Sequence, residues 1–310
     1  MTGATVRLPA DMVGAAAPRG AGLAAIAGLG WGGLLLPPVL LMLVTLLASQ
    51  SVFIASSLHR DLGMGRTAAA WTLQNYDALL SDGLFLRCLW ITVRVSALAT
   101  IFTLIPAFAV GYAIARMRSA WSGFLLAAIV ATNFITIVVK AFGLMIIFAG
   151  DGVLNRLLTA LHLVDQPVAL LGSESGVVVG LMQFTLGFAV LLLTSVIRTV
   201  PRGLEEAALA HGASRARVLR RVLLPLCLPG LCVAALMIFN MCMGAFTSAA
   251  LLGSGRILTL PVLIQQTVMM QVNYAMAATL SVVLLVAVLA INVLTLVLVR
   301  RSRVGRMAVI

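Results

Sequence analysis

The chain has 310 residues, of which 62% are hydrophobic and only 10% are charged. Soluble globular proteins carry about 25% charged residues, so this composition excludes an ordinary soluble enzyme and indicates lipid as the main solvent. The formal net charge of +12 does not indicate nucleic acid as a partner, because the arginines lie in short segments between apolar runs. Positive charge in that position orients a membrane protein.

Six apolar stretches are long enough to cross a bilayer, since a spanning helix needs roughly 20 mostly apolar residues. Backbone polar groups that face lipid must be bonded within their own segment, so each stretch is predicted to be helical. The predicted fold class is therefore all-α, a polytopic membrane protein with six transmembrane helices. The predicted spans are about 31–54, 89–114, 121–149, 176–198, 226–252 and 275–299.

The segments outside the spans divide the chain further. Residues 1–30 are rich in alanine and glycine and are predicted to form a mobile N-terminal tail ahead of a six-span domain at 31–299. The first apolar run is longer than the core of a signal peptide, about 7–15 residues, so an uncleaved first span is favoured over a cleaved signal. Residues 300–310 form a basic tail.

The distribution of arginine predicts that both termini are cytoplasmic. With that orientation, the inside segments hold fourteen basic residues. The outside segments hold five: Arg60, Arg66, Arg87, Arg156 and Arg256. Cytoplasmic loops are enriched in Lys and Arg, so the loop after the fourth span is predicted to lie inside and the long loop 55–88 outside.

The loop after the fourth span has the pattern of two short helices separated by a glycine. Pro201 suits the first turn of a helix, because its missing N–H is not needed there. Glu205 and Glu206 follow near the positive end of that helix. Gly212 is placed to end it, and Ser214 to cap a second, arginine-rich helix. Such a loop suits docking onto a cytoplasmic partner, and the alternative is a basic segment lying on anionic lipid.

A motif runs through this loop: Glu206-Ala207-Ala208, three residues, Gly212 and, twelve residues later, Leu224-Pro225. It resembles the EAA loop of the permeases of binding-protein-dependent ABC importers. The resemblance implies the type I ABC importer permease fold, with residues 199–225 as a coupling loop that sits in a groove of a separate ATPase subunit. The ATPase-coupling residues that it implies are Glu205, Glu206, Ala207, Ala208, Gly212, Ala213, Ser214, Leu224 and Pro225.

Three further stretches, 111–116, 138–142 and 152–158, resemble the spermidine/putrescine-type permeases of this family, and the resemblance covers roughly residues 85–300. Lys140 stands where these permeases usually have arginine, and Leu144 near their usual tryptophan. The resemblance implies a bacterial inner-membrane subunit that forms the path for a polyamine or similar small organic ion. It also implies three partners: ABC ATPase subunits, a periplasmic solute-binding protein and a second permease, with a heterodimer favoured.

Lys140 and Arg94 are the only charged residues within the predicted spans. A charge inside the membrane is a functional-site hypothesis by default. Arg94 is expected to reach the headgroups. Lys140 is expected to line the solute path or contact a partner subunit, and the alternative is a bond to backbone carbonyls. Asn240 and Phe246 are further candidates for pathway or subunit contact, with helix packing as their alternative.

No catalytic set, cofactor or metal site is predicted, because the three histidines are scattered and the four cysteines lack metal-site spacing. A P-loop requires a lysine after glycine, and the single lysine, Lys140, follows Val139. ATP hydrolysis is therefore assigned to a separate chain, and this chain is not expected to be an enzyme. The alternative function is a secondary transporter driven by an ion gradient, which is expected to have acidic residues in its spans.

Overall fold

The computed structural model describes residues 31–301 except Met64 and Asp165. The predicted mobile tail and nearly all of the basic C-terminal tail lie outside the described residues. The helices are α1 (Trp31–Ser57), α2 (Gln74–Ser81), α3 (Gly83–Arg116), α4 (Trp121–Phe134), α5 (Ile137–Phe148), α6 (Val153–Ala160), α7 (Glu174–Thr199), α8 (Arg202–Ala210), α9 (Arg215–Val218), α10 (Leu224–Met243), α11 (Thr247–Gly253), α12 (Leu260–Met269) and α13 (Tyr274–Arg301). A π-helical turn at Leu219–Leu223 joins α9 to α10, and two short strands are β1 (His59–Asp61) and β2 (Thr67–Trp71).

Two compact units divide the chain between Val52 and Phe53, within α1. In the first unit, the described residues form the N-terminal part of α1, a helix that contains Pro37 and Pro38. All of the other elements belong to the second unit. The packing described below is that of the second unit alone.

Six segments of the described residues are long and apolar enough to cross a membrane. They are Leu35–Ser57, Gly83–Arg116, Ile137–Ala160, Glu174–Thr199, Arg215–Met243 and Tyr274–Val297. This confirms the predicted all-α, six-span architecture. The predicted boundaries shift by a few residues at most spans and by the most at the third and the fifth.

The third predicted span, 121–149, is not one continuous helix. Helix α4 ends at Phe134, the backbone is extended at Ile135 and Thr136, and α5 begins at Ile137. These two residues are β-branched, which gives them a lower helix propensity than unbranched apolar residues. The segment that has the length of a span is Ile137–Ala160, which comprises α5 and α6 and is itself interrupted between Phe148 and Val153. Hydropathy alone hid this interruption, because the residues around it are apolar on both sides.

The fifth predicted span, 226–252, begins earlier and ends earlier in the structure. The helical path starts at Arg215, passes through the π-helical turn and continues as α10 to Met243. Within the turn, the Leu224 N–H donates to the carbonyl of Leu219. Pro225 follows directly and has no N–H with which to continue the usual ladder. A break at Gly244 then separates α10 from α11.

Helices α3 and α7 form the centre of the second unit, and α3 carries several small buried residues. These include Ser96, Ala99, Ala107 and Gly111. A Cβ atom on Gly111 would lie 3.3 Å from the backbone nitrogen of Thr194 in α7. Small side chains let helix backbones approach closely in a membrane, so the second and fourth spans are held as one tightly packed pair.

The loop predicted to lie outside is folded as a hairpin followed by a short helix. Strand β1 pairs antiparallel with β2, with His59 opposite Trp71. The Asn75 side-chain amide of α2 donates to the carbonyl of His59 at 2.8 Å. The Thr279 hydroxyl of α13 donates to the carbonyl of Ser57 at 3.2 Å. The first bond attaches α2 to the hairpin, and the second attaches the residue at the end of α1 to the last span.

Candidate functional site

The first helix of the coupling loop, α8, ends in a geometry that only glycine adopts easily. Gly212 has φ +78°. Its N–H donates to the carbonyl of Leu209 at 2.9 Å, and the next N–H, of Ala213, donates to the carbonyl of Ala208 at 3.1 Å. This pair of bonds is the Schellman motif, which satisfies the free carbonyls at a helix end. The chain therefore turns sharply at the glycine.

The second helix begins at Ser214 and differs from its prediction in one respect. Ser214 is at the N-cap position, but its side chain makes no capping hydrogen bond. Its carbonyl instead accepts the N–H groups of Arg217 and Val218 at 2.9 and 3.0 Å. Four-residue helix α9 then continues through the π-helical turn into α10, so this half of the coupling loop is a direct extension of the fifth span.

The two adjacent glutamates of the loop point to different environments. The Glu205 carboxylate is buried, and its Oε1 lies 2.5 Å from Nη2 of Arg116 at the end of α3. The Tyr112 hydroxyl donates to the other oxygen of Glu205 at 3.3 Å. The Glu206 side chain is 64% exposed and lies 3.5 Å from the exposed Arg118. Glu205 is thus held within the protein, and Glu206 is directed towards solvent.

Further bonds attach α8 to the end of the second span. The Arg116 guanidinium also donates to the carbonyl of Val200 at 3.1 Å. In the reverse direction, Arg202 at the start of α8 donates to the carbonyl of Ala115 at 2.9 Å. The base of α8 is therefore held to the end of α3 by contacts from both sides.

An exposed face remains on the coupling loop. Leu204, Ala207 and His211 are all exposed along one side of α8. Beside it, an open cleft of about 300 Å³ separates α8 from α9. The cleft is lined by Tyr112, Glu205, Leu209, Arg215, Ala216, Val218 and Leu219. Leu224 is exposed and Pro225 half-buried where the loop enters α10.

A family model described as "Binding-protein-dependent transport system inner membrane component" matches residues 80–304. The chain belongs to this family. It is a multi-pass inner-membrane protein, the permease subunit of an ABC importer. The matched range includes the coupling loop and the last five spans.

Curated relatives of the permease cover most of its length. It is 27% identical over 242 residues, 78% of this chain and 84% of the relative, to the spermidine/putrescine transport system permease protein PotB of Haemophilus influenzae. It is 28% identical over 216 residues, 70% of this chain and 78% of the relative, to PotB of Escherichia coli.

A solved structure establishes the same fold. This is the bacterial alginate ABC transporter in complex with an alginate pentasaccharide-bound periplasmic protein. The likeness has a TM-score of 0.72 at 18% identity and covers 91% of this chain and 95% of that one.

Lys140 lies at the beginning of α5, four residues after the end of the interruption in the third predicted span. It is half-buried and lines a narrow crevice with Gln183, Phe184 and Ser248, among others. Within the described residues it forms no ion pair. The permease therefore has one cation on α5 without an acidic partner in the described part of this chain.

Asn240 and Phe246, the other pathway candidates, have different surroundings. The amides of Asn240 and Asn292 bond reciprocally, at 3.1 and 3.0 Å, and so join α10 to α13. Phe246 is exposed at the break between α10 and α11. The structure does not bring these two residues into the crevice of Lys140.

Two ion pairs that join one helix to another were missed by sequence reasoning. Arg116 was recognised only as part of a stretch shared with related permeases, and its pairing with Glu205 spans 89 positions of sequence. Arg94 was expected to reach the headgroups, but it forms an ion pair with Glu174 in the first turn of α7. The predicted fourth span began after Glu174, so no acidic partner was available to that prediction. No local signal in the sequence marks either pair.

Proposed function

We propose that the coupling loop is the docking site for a separate ABC ATPase and transmits nucleotide-driven motion to the spans. The observation that carries this proposal is the glycine-ended helix α8, whose base is bonded to the second span while Glu206 and one apolar side face solvent. A connecting loop requires neither this rigidity nor an exposed apolar face. The sequence has no P-loop lysine, which supports assigning ATP hydrolysis to another chain.

The docking proposal is tested by co-purification of the permease with an ABC ATPase expressed from the same genome. The variant combines Glu206→Ala with Gly212→Val, which removes the exposed carboxylate and strains the turn. We expect the ATPase to be lost from the purified complex. Glu174→Gln is the matched control, because Glu174 lies at the opposite end of α7, and it should retain the ATPase. Intact binding by the double variant would contradict docking through this loop.

We further propose that the solute is a polyamine or a similar small organic ion. Support comes from the relatives of the permease, several of which are spermidine/putrescine permeases. The test is calorimetric titration of the associated solute-binding protein with spermidine, putrescine and a neutral sugar as control. Tight binding of the sugar with no binding of either amine would contradict the proposal.

The partners follow from the same assignment. We propose a periplasmic solute-binding protein on the outer side and a second, different permease that completes the path, with lipid around both. The related alginate transporter was solved with its periplasmic protein, which supports the first partner. Lys140 and Phe246 are proposed as contacts to the solute or to the second permease. Asn240 is also proposed as such a contact, acting through the amide pair that joins α10 to α13. Mass measurement of the purified complex distinguishes a heterodimer from a homodimer.

The alternative function is a secondary transporter, and one experiment distinguishes it from an ABC permease. The permease is reconstituted in liposomes with and without its ATPase, and uptake of labelled spermidine is followed. Uptake that requires both the ATPase and ATP supports the proposal. Uptake by the permease alone that follows an imposed ion gradient would overturn it.

A further inference from the structure

We propose that Glu205 is a positioning residue that locks the coupling loop to the second span, and that it does not itself contact the ATPase. Its partners in this lock are Arg116 and Tyr112, both on α3. The inference rests on the proposed function, since it assumes that an ATPase docks on this loop. It divides the two adjacent glutamates into an internal lock, Glu205, and an outward contact, Glu206.

The ion pair at the centre of the lock is mostly buried. The side chains of Arg116 and Glu205 are only 14% and 11% exposed, and the charged atoms Nη2 and Oε1 lie 2.5 Å apart. The second carboxylate oxygen accepts the Tyr112 hydroxyl at 3.3 Å. Both oxygens of this carboxylate already face side chains of α3, and the little of Glu205 that is exposed lines the cleft between α8 and α9. An ATPase side chain therefore has to compete with Arg116 and Tyr112 for Glu205.

Two helix dipoles strengthen the pair. Arg116 is in the last turn of α3, where the partial charge of the helix end is negative, and Glu205 is in the first turn of α8, where it is positive. Each side chain is thus favoured by its own helix as well as by its partner. Removing one partner leaves an uncompensated charge in a mostly buried place, which is strongly unfavourable.

The neighbouring pair of Glu206 and Arg118 shows the contrast. Its atoms lie 3.5 Å apart, and the side chains are 64% and 80% exposed. Exposed pairs of this kind contribute little to stability, so Glu206 can exchange Arg118 for a partner's cation at small cost. Successive residues of a helix point about 100° apart, which is why one glutamate faces α3 and the next faces solvent.

The lock determines how motion at α8 reaches the spans. Through Arg116, a displacement of α8 is passed to α3, which packs closely on α7. Through the π-helical turn, a displacement of α9 is passed to α10, with which it is continuous. The coupling loop therefore acts on the second and fifth spans together. Without the lock, α8 would lose its buried side-chain connection to α3 and would keep the bond from Arg202 to the carbonyl of Ala115 and the exposed pair of Glu206 and Arg118.

The test separates docking from transmission in the purified permease–ATPase complex. The variants are Glu205→Gln, Tyr112→Phe and the double variant Arg116→Gln with Glu205→Gln. The double variant removes both charges of the pair, so it leaves no unpaired buried charge that could cause misfolding. A bimane probe is attached at Leu86→Cys on α3, an exposed position far along the helix from the lock, in a background without the native cysteines. ATP with vanadate is expected to shift the probe's emission in the wild-type complex.

We expect the Glu205→Gln and double variants to retain the ATPase and to lose the emission shift, and Tyr112→Phe to reduce it. Glu174→Gln, which removes the ion pair to Arg94 between α3 and α7, is the control and should keep the full shift. A full shift in the double variant would overturn the lock. Loss of the ATPase from the double variant would also overturn it, because Glu205 would then act in docking. Failure of the wild-type protein to bind any ATPase would instead contradict the proposed function.

Discussion

Gly212 shows how a single residue determines the form of the coupling loop. Its φ of +78° lies in the left-handed region, and an added Cβ would meet no atom within 4 Å. The requirement for glycine is therefore conformational and not steric. Gly203 lies within α8, with equally open space around it and without a positive φ. Comparing Gly203 with Gly212 therefore separates the effect of backbone conformation from that of steric crowding.

We expect Gly212→Ala to destabilise the loop by roughly 1–2 kcal/mol, the cost of a left-handed backbone for a residue with a Cβ. Gly203→Ala should be neutral or stabilising by up to about 1 kcal/mol, because alanine has the higher helix propensity. Hydrogen exchange at the amides of Gly212 and Ala213 measures the local effect. Equal exchange rates in the two variants would show that the turn is not strained by a side chain.

Asn240 and Asn292 form the clearest polar contact between two spans. Each amide both donates to and accepts from the other. Replacing Asn240 leaves the Asn292 amide with its bond to the carbonyl of Val288 at 2.9 Å and without a partner for its oxygen. We expect Asn240→Ala to lower the free energy of unfolding by about 0.6 kcal/mol and at most about 1.7 kcal/mol, the range for hydrogen bonds between membrane helices. Thermal unfolding in detergent, as a cycle with Asn292→Ala, measures the coupling. Additive effects of the two changes would contradict the bond.

At the scale of single residues, the sequence predicted the end of α8 well and the side-chain pairs poorly. The end at Gly212 was predictable because a helix end of this kind is a local property of the backbone. The capping bond predicted for Ser214 does not form, although the residue is in the expected place. Arg116 and Glu205 were not predicted as a pair, because their contact depends on how α3 and α8 are placed by the whole fold.

At the scale of the helices, close approach between α7 and α10 depends on Gly230. An added Cβ there would lie 2.4 Å from Cγ1 and 2.8 Å from Cγ2 of Val196. Valine has a stiff side chain, so it cannot move aside without the helices separating. The contact at Gly180 differs, because the nearest atom is the end of the longer Leu252 side chain, at 2.1 Å.

We expect Gly230→Ala to destabilise the permease by about 1–3 kcal/mol, the usual cost of overpacking. Adding Val196→Ala should restore most of that stability, because it removes both methyl groups that the new Cβ meets. The melting temperature in detergent is the measurement. A double variant no more stable than Gly230→Ala alone would show that the clash is not the cause.

The helices also show the limits of hydropathy as a guide to spans. It identified six apolar stretches because burial in lipid requires them. It did not reveal the interruption at Ile135 and Thr136 or the break at Gly244, because a change in backbone direction need not change hydrophobicity. Hydropathy also missed the early start of the fifth span at Arg215. The arginines there lower the hydropathy and so indicate a loop, although the backbone is helical.

At the scale of the whole molecule, the arginine distribution predicts which side of the membrane each loop occupies. We expect Ser81→Cys, in α2 of the outer loop, to react with a membrane-impermeant maleimide in intact spheroplasts. Ser214→Cys, in the coupling loop, should react only after the membrane is opened. Both positions are exposed, so the difference measures sidedness and not burial. Labelling of Ser214→Cys in intact spheroplasts would contradict the predicted orientation.

The π-helical turn at Leu219–Leu223 has a consequence for how this loop tolerates length changes. A π turn is an α-helix that carries one extra residue. Deleting one residue there would let an ordinary α-helix run from α9 into α10, because the wider turn holds the extra residue without changing the phase of the helix on either side. Arg215 and Arg217 would then keep their direction relative to α10. A one-residue deletion within the regular part of α10 has no such turn to absorb it, and it would rotate everything before it by about 100° around the helix axis. A one-residue gap in an alignment of related permeases is therefore compatible with an unchanged docking angle at this segment and not further along α10.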